Sequence, residues 1–254
     1  MLPRVTALLL MSAVALVAPV VRADTIKVLT AGAFKQVVVA LVPAFERSTG
    51  HKVEVQNDTA GALARRIAGG EPFDVVAIPP SALQPLATDG TVDAASVVPL
   101  AKVAIGVAVK SGTPSPRLET VDQFKEAVLN ARKVAYIDPA AGGSSGIYLD
   151  GLFQRMGIAD AVRAKAVLVP GGLVAERLVN GEADLAIHQI SEILAVPDVT
   201  LVGPLPESIQ NYTTYAGAVS TRAVHPAAAR ALLATLAGPQ ATEALRAKGM
   251  APVR

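Results

Sequence analysis

Apolar and polar positions along this chain switch repeatedly between an extended pattern and a helical one. Thr25-Ile-Lys-Val-Leu-Thr30 reads as a strand, and Phe34, Val37, Val38, Leu41, Val42 and Phe45 then recur at three and four residues. This predicts a strand, a small-residue turn at Ala31-Gly-Ala33 and an amphipathic helix, ending near Thr49-Gly50 where glycine takes a left-handed cap. The same succession returns as strand Lys52–Gln56, the turn Asn57-Asp-Thr-Ala-Gly61 and helix Ala62–Ala68, and again as strand Phe73–Ile78, Pro79-Pro80 and a helix through Leu86. Val98 to Lys110 is then extended for roughly twice the usual strand length, which reads as a connection leaving one lobe for a second. Beyond it come helix Val121–Asn130, strand Lys133–Ile137, helix Ile147–Met156, strand Ala164–Val169, helix Leu173–Asn180, strand Asp184–Ile187 and a short helix near Ile190. An extended pair, Val199–Val202 and Thr214–Val219, reads as the return crossing, and helices Pro226–Leu236 and Gln240–Lys248 finish the chain. Strand–helix alternation of this kind predicts an α/β protein with right-handed crossovers and mostly parallel sheets.

In open parallel sheets ligands bind beyond the carboxyl ends of the strands. That rule collects five loops: Thr30–Ala33, Asn57–Gly61, Ala140–Ser145, Pro170–Gly172 and His188–Ser191. The third belongs to Asp138-Pro-Ala-Ala-Gly-Gly-Ser-Ser-Gly-Ile-Tyr148, a strand-to-helix loop with three glycines and two serines. Such a loop brings backbone N–H groups and hydroxyls against a ligand, and the helix behind it adds partial positive charge. Four of the five are dominated by Gly, Ala, Ser and Thr and hold no Lys or Arg, so recognition of a small anion would come from amides and hydroxyls in a dry cleft. The candidate ligand-binding residues are Thr30, Gly32, Ala33, Thr59, Ala60, Gly61, Ser144, Ser145, Gly172, His188 and Gln189. Arg65, Arg66, His51 and His225 read as solvated, Tyr148 as packed into its lobe, and Asp74 and Asp138 as caps or braces.

Composition changes this picture in three ways. The N-terminus has Arg4, the apolar stretch Val5–Val21 interrupted by Pro19, and Val21-Arg-Ala23 in the small-x-small style of a cleavage site. Residues 1–23 therefore read as an export signal cut after Ala23, the apolar run falling short of the ~20 residues that span a membrane. Cysteine is absent, which excludes disulfides, a thiol nucleophile, thiolate metal sites and a lipoprotein anchor. Without Arg4 and Arg22, 21 basic residues balance 21 acidic ones, so there is no bulk electrostatic reason to bind nucleic acid or acidic membranes. No metal-ligand spacing, phosphate loop or nucleophile elbow occurs, so neither metal nor cofactor is expected.

Val28-Leu-Thr-Ala-Gly-Ala-Phe34, Ala62-Leu-Ala-Arg-Arg-Ile67, Phe73-Asp-Val-Val-Ala-Ile78, Gly146-Ile-Tyr148 and the run Leu236–Gly249 resemble, in order and spacing, segments of the periplasmic molybdate-binding proteins of ABC importers. The resemblance implies a two-lobed type II periplasmic-binding-protein fold. Each lobe is then a mostly parallel sheet flanked by helices, and the ligand cleft lies between lobes that close like a hinged clamp. The expected division is residues 24–104 plus 205–254 in lobe 1 and 105–204 in lobe 2. The implied protein is a periplasmic monomer that captures a small anion, with ABC importer membrane subunits as its partners. Where the family carries serines after the first two strands, this chain has Ala31-Gly-Ala33-Phe34 and Asp58-Thr-Ala-Gly61, with Thr59 placed to substitute for one. Each lost hydroxyl costs a buried oxyanion about 1–3 kcal/mol, so the pocket reads as remodelled, a small di- or tricarboxylate being the leading ligand. At the position of the family's second-lobe tyrosine stand His188 or Gln189. The alternative is catalytic: aconitate isomerase resembles this fold and moves a proton along an unsaturated tricarboxylate, a task for which His188 or Glu192 could be the base.

Overall fold

The computed structural model describes residues 24–253, and the expected export segment, residues 1–23, lies outside them. In chain order the elements are β1 (Thr25–Ala31), α1 (Gly32–Thr49), β2 (Lys52–Asp58), α2 (Ala60–Ala68), β3 (Val75–Ile78), α3 (Pro80–Thr88), β4 (Val98–Lys110), α4 (Val121–Asn130), β5 (Val134–Ile137), α5 (Ser144–Arg155), α6 (Ala159–Arg163), β6 (Ala166–Val169), α7 (Glu176–Val179), β7 (Leu185–Gln189), α8 (Ile190–Ile193), β8 (Val199–Pro204), β9 (Tyr212–Val219), α9 (Pro226–Ala237), α10 (Ala241–Ala247) and β10 (Met250–Ala251).

The strands run in the order β2-β1-β3-β9-β4-β7-β5-β6, with β8 and β10 also paired to β4. Parallel pairing holds the centre of each half together, β1 with β2 and β3 in one and β5 with β6 and β7 in the other. The strands that join the halves, β4 and β9, are antiparallel to their neighbours. β4 is the long extended run of the sequence, and it serves two cores in succession. Leu100, Ala101 and Val103 pack with β1, β3, α1 and α9, whereas Ile105, Val107 and Val109 pack with α4, β5, α5 and β7. The change of core falls between Val103 and Ile105, which makes β4 the strand on which the two lobes of this α/β fold hang together.

Three elements differ from the sequence expectation. β8 does not return to the first lobe but pairs along the second half of β4, leaving β9 as the return strand. The expected helix Leu173–Asn180 is reduced to the single turn α7, because the Leu173, Val174 and Ala175 carbonyls accept from N–H groups three residues on, in tight turns rather than a continuous α-helix. α6 is five residues long, too short for a helical period to register. The cap on α1 is as expected, Gly50 being left-handed at φ 76 with its N–H on the Glu46 carbonyl.

Candidate functional site

The carboxyl ends of β1, β2, β5 and β7 open onto one cleft between the lobes. It is lined by Gly32, Ala33, Thr59, Ala60, Ser144, Ser145, Gly172, His188, Gln189 and Glu192, together with Asn57, Asp58, Ile137 and Tyr215. Three helices of nine residues or more begin there: α1, α2 and α5. The first N–H groups of a helix have no partner within it. α2 is capped by Thr59, whose hydroxyl accepts from Ala62 N–H, but no side chain caps α1 or α5. Two sets of amide donors, each at the positive end of a helix dipole, are thus left facing a cleft whose lining contains no Lys or Arg. Ser145 adds a hydroxyl that is 2% exposed and engaged by no described residue. The lobes also touch directly across the cleft mouth: the Thr59 hydroxyl donates to Ala141 O at 2.5 Å and Gly61 N–H to Gly142 O at 3.1 Å.

The floor of the cleft holds a pair of titratable groups. His188 is the penultimate residue of β7, Glu192 sits on α8, and His188 Nε2 lies 3.2 Å from Glu192 Oε2, with side chains only 3% and 9% exposed. The chain turns from strand to helix between them, so the two side chains converge as an i, i+4 pair would. Burial pushes the Glu192 carboxyl up to about 8, the charge of Lys35 working against it, and burial pushes the His188 imidazole down to about 3. Burial thus favours the uncharged form of both groups, and their polar atoms face each other at 3.2 Å. His188 Nδ1 is buried with no partner among the described residues. Glu192 Oε1 lies against Gly32 at the start of α1, in the space that a Cβ on Gly32 would occupy.

This arrangement has a measurable consequence for stability. Glu192 is raised in the folded state, from 4.5 to about 8, so its contribution is fully present below pH 4.5 and is lost as pH rises through 8. His188 is depressed from 6.5 to about 3, so its contribution is present above 6.5 and is lost as pH falls through 3. Each pH unit across such a window is worth up to about 1.4 kcal/mol. We expect Glu192→Gln to flatten the fall in Tm between pH 5 and 8, leaving the variant several degrees more stable than wild type at pH 8. Parallel melting curves for the two proteins would overturn the assignment.

Of the residues expected from sequence, Thr30 and Gly61 do not line the cleft. Thr30 is fully buried and its hydroxyl donates to the Ala31 carbonyl. Gly61 is held against Gly142 at the lobe contact. The charged candidates resolve into structure. Arg66 is bound to Glu71, Gln56 and Asp58, and Lys27 joins the same Glu71, which holds the Glu71 carboxyl down at about 2. Arg65 is exposed. His51 and His225 are not simply solvated, since both lie beside Asp24, at 3.8 and 3.2 Å. Tyr148 packs against the second core with its hydroxyl on Ile209 O. Asp138 caps Ala140 N–H, and Asp74 braces Lys27 and Val224 N–H. Sequence reasoning missed Ile137 and, on β9, Tyr215, which is buried with its ring stacked on Phe34 at 6.1 Å. Among the described residues no three His, Asp or Glu side chains gather as a metal ion requires.

Comparison with known proteins agrees with this architecture. The family model for bacterial extracellular solute-binding proteins matches residues 26–251. A curated protein from Pseudomonas sp. named aconitate isomerase is 38% identical over 235 residues, covering 90% of this chain and 88% of that protein. Among solved structures, the periplasmic molybdate-binding protein of Azotobacter vinelandii superposes with a TM-score of 0.77 at 20% identity, over 90% of this chain and 100% of that one. The sulfate-binding protein SubI of Mycobacterium tuberculosis H37Rv gives 0.72 at 18%, over 91% and 87%. With a two-lobed α/β fold, an interlobe cleft at the strand ends and a family match along nearly the whole described chain, the protein belongs to the bacterial extracellular solute-binding protein family.

Proposed function

We propose that the cleft binds a small unsaturated tricarboxylate and shifts a proton along it, interconverting cis- and trans-aconitate in the periplasm after release of residues 1–23. The observation that carries this reading is the His188–Glu192 pair: an uncharged acid and an uncharged base in contact, buried at the floor of an amide-lined cleft. Groups whose environments drive their pKa values in opposite directions are the usual mark of acid–base work. The 38% identical relative bearing the name aconitate isomerase supports the same chemistry.

The two oxygens of Glu192 divide the task. Oε1, on the Gly32 side, takes a proton from the ligand's CH2 carbon while the O–H on Oε2 passes to His188 Nε2, so Glu192 remains neutral and the imidazole becomes cationic. The electron pair left on carbon moves into the adjacent double bond and is shared by both ends of the three-carbon unit, each conjugated with a carboxylate. Oε1–H then protonates the former vinyl carbon, Nε2 returns its proton to Oε2, and the double bond has moved. Rotation about what was a single bond lets the new double bond form with either geometry. The uncapped starts of α1 and α5 and the Ser144 and Ser145 hydroxyls hold the carboxylates that carry the transient charge. No cation is needed for this, and a neutral Glu192 avoids repelling the anion.

A second reading keeps the ligand and omits the reaction: a carboxylate receptor for an ABC importer, favoured by the lobe contacts at Thr59 and Gly61 that suit clamp closure. Lobes of residues 24–104 with 205–254 and of 105–204, and a monomer in solution, serve either reading. Ultraviolet absorbance separates them. Protein added to cis- or to trans-aconitate is expected to bring both to the same final mixture, whereas unchanged spectra from either side would leave only the receptor. Thermal shifts test the ligand class. A di- or tricarboxylate at 100 times its Kd should stabilise by about 2.7 kcal/mol, and a shift with molybdate, tungstate or sulfate alone would overturn the carboxylate reading.

A further inference from the structure

One wall of the cleft comes from neither a loop nor a strand end. Thr213 and Tyr215 lie two residues apart on β9, and successive strand side chains alternate between faces, so both project the same way. Both are buried, at 6% and 3%, while Thr214 between them is exposed. Tyr215 lines the cleft, and its hydroxyl bonds to no described residue, although buried phenols usually find a partner. Thr213 instead meets Gln189: its Oγ1 is 2.7 Å from Gln189 Nε2. In this orientation the amide leaves Gln189 Oε1 buried with no partner, which is costly for a polar atom. Half a turn of the amide about its last torsion keeps the Thr213 bond, because a hydroxyl donates as readily as it accepts, and exchanges the unpartnered acceptor for an unpartnered donor suited to an anion. Oε1 then accepts from Thr213, and the NH2 takes the place where Oε1 found no donor.

The same cleft is then lined by a phenolic O–H and an amide NH2 that donate to no described residue, and the cleft lining holds no Lys or Arg. We infer that Tyr215 and Gln189 form a subsite for one carboxylate of the ligand, with Thr213 as the positioning residue that holds the Gln189 amide in its donating orientation. This rests on the carboxylate reading above but not on the proton shift. It gives the crossing strand β9 a part in ligand choice that the strand-end rule does not supply.

The test separates binding from reaction by using propane-1,2,3-tricarboxylate, the saturated analogue with no double bond to move. In calorimetric titration wild type is expected to bind it, Tyr215→Phe and Thr213→Val to bind it about 10-fold more weakly, and Thr213→Ser, which keeps the hydroxyl, to restore wild-type affinity. Melting temperatures without ligand confirm that each variant is folded, and aconitate turnover is followed on the same samples. Wild-type affinity in Tyr215→Phe or Thr213→Val overturns the subsite, as does failure of wild type to bind the analogue. Weak binding by Thr213→Ser overturns the positioning role of Thr213. If wild type binds as expected but leaves aconitate unchanged, the isomerase reading fails and the subsite stands. If wild type isomerises aconitate while both variants keep full affinity for the analogue, the reverse holds.

Discussion

Exchanging Glu192 for Gln is expected to slow aconitate interconversion by about 1,000-fold, the middle of the range for loss of a positioned acid–base group, while binding of the saturated analogue stays within a few-fold of wild type. Gln has the size of a protonated Glu and, like it, carries no charge, so the buried site keeps its packing and its electrostatic balance. What it loses is a proton it can release from one side while receiving another. His188→Gln removes the acceptor at the other end of the relay and should cost a similar factor. Because the two act as one unit, the double variant should be little worse than either single one. The pH profile gives an independent check. Turnover requires a protonated Glu192, held at about 8, and an uncharged His188, held at about 3. The rate should therefore be level through neutral pH and fall as pH rises through 8. A rate that rises through that range would mean that Glu192 acts as a free carboxylate and that the relay is wrong.

Much of this site could be seen in the sequence, and the part that could not has a physical reason. Small-residue loops after extended runs marked Gly32, Ala33, Thr59, Ala60, Ser144, Ser145 and Gly172, because a strand that hands over to a helix must end near its neighbours' ends in a parallel sheet. The long run Val98–Lys110 announced the crossing, since no single lobe accommodates thirteen extended residues. The same rule failed for Thr30 and Gly61 by one position each: the last turn of β1 buries Thr30, and Gly61 lies already inside α2, facing Gly142. It missed Thr213 and Tyr215 altogether because they lie mid-strand in the antiparallel β9, where strand ends carry no information. His188 and Glu192 were both visible as candidates. Their contact was not, since it depends on a strand-to-helix turn at Gln189–Ile190 whose direction no periodicity encodes. Charge reading fared worst. Arg66 and Glu71 are partners across a helix end, and His51 and His225 share Asp24 from distant parts of the chain, contacts that exist only once the fold is made.

Gly61→Ala should separate stability from closure. Gly61 is in the first turn of α2 with ordinary helical backbone, so alanine there is expected to leave the unliganded protein as stable as wild type or up to about 1 kcal/mol more stable. A Cβ at this position, however, would stand 2.9 Å from Gly142 Cα and 3.3 Å from Gly142 O. The obstacle is backbone and has no rotamer with which to yield. Nor can Gly142 give way by changing residue, since its φ of 79 belongs to the left-handed region and its own Cβ would meet Gly61 Cα at 2.8 Å. The compliant coordinate is the lobe contact itself, which would separate by enough to break the Gly61 N–H to Gly142 O bond and stretch the Thr59 clasp on Ala141. Affinity for the tricarboxylate should then fall about 10- to 100-fold with Tm unchanged or raised, and small-angle scattering should show wild type but not the variant becoming more compact on addition of ligand. Thr59→Val makes the complementary case. Its hydroxyl both caps α2 at Ala62 and clasps Ala141, so affinity and stability should fall together, the latter by about 1 kcal/mol. Wild-type affinity in Gly61→Ala would mean that the ligand is held without the two glycines meeting. The site would then have to be assembled within one lobe, which the convergence of α1 and α2 from one side with α5, His188 and Gln189 from the other makes hard to reconcile.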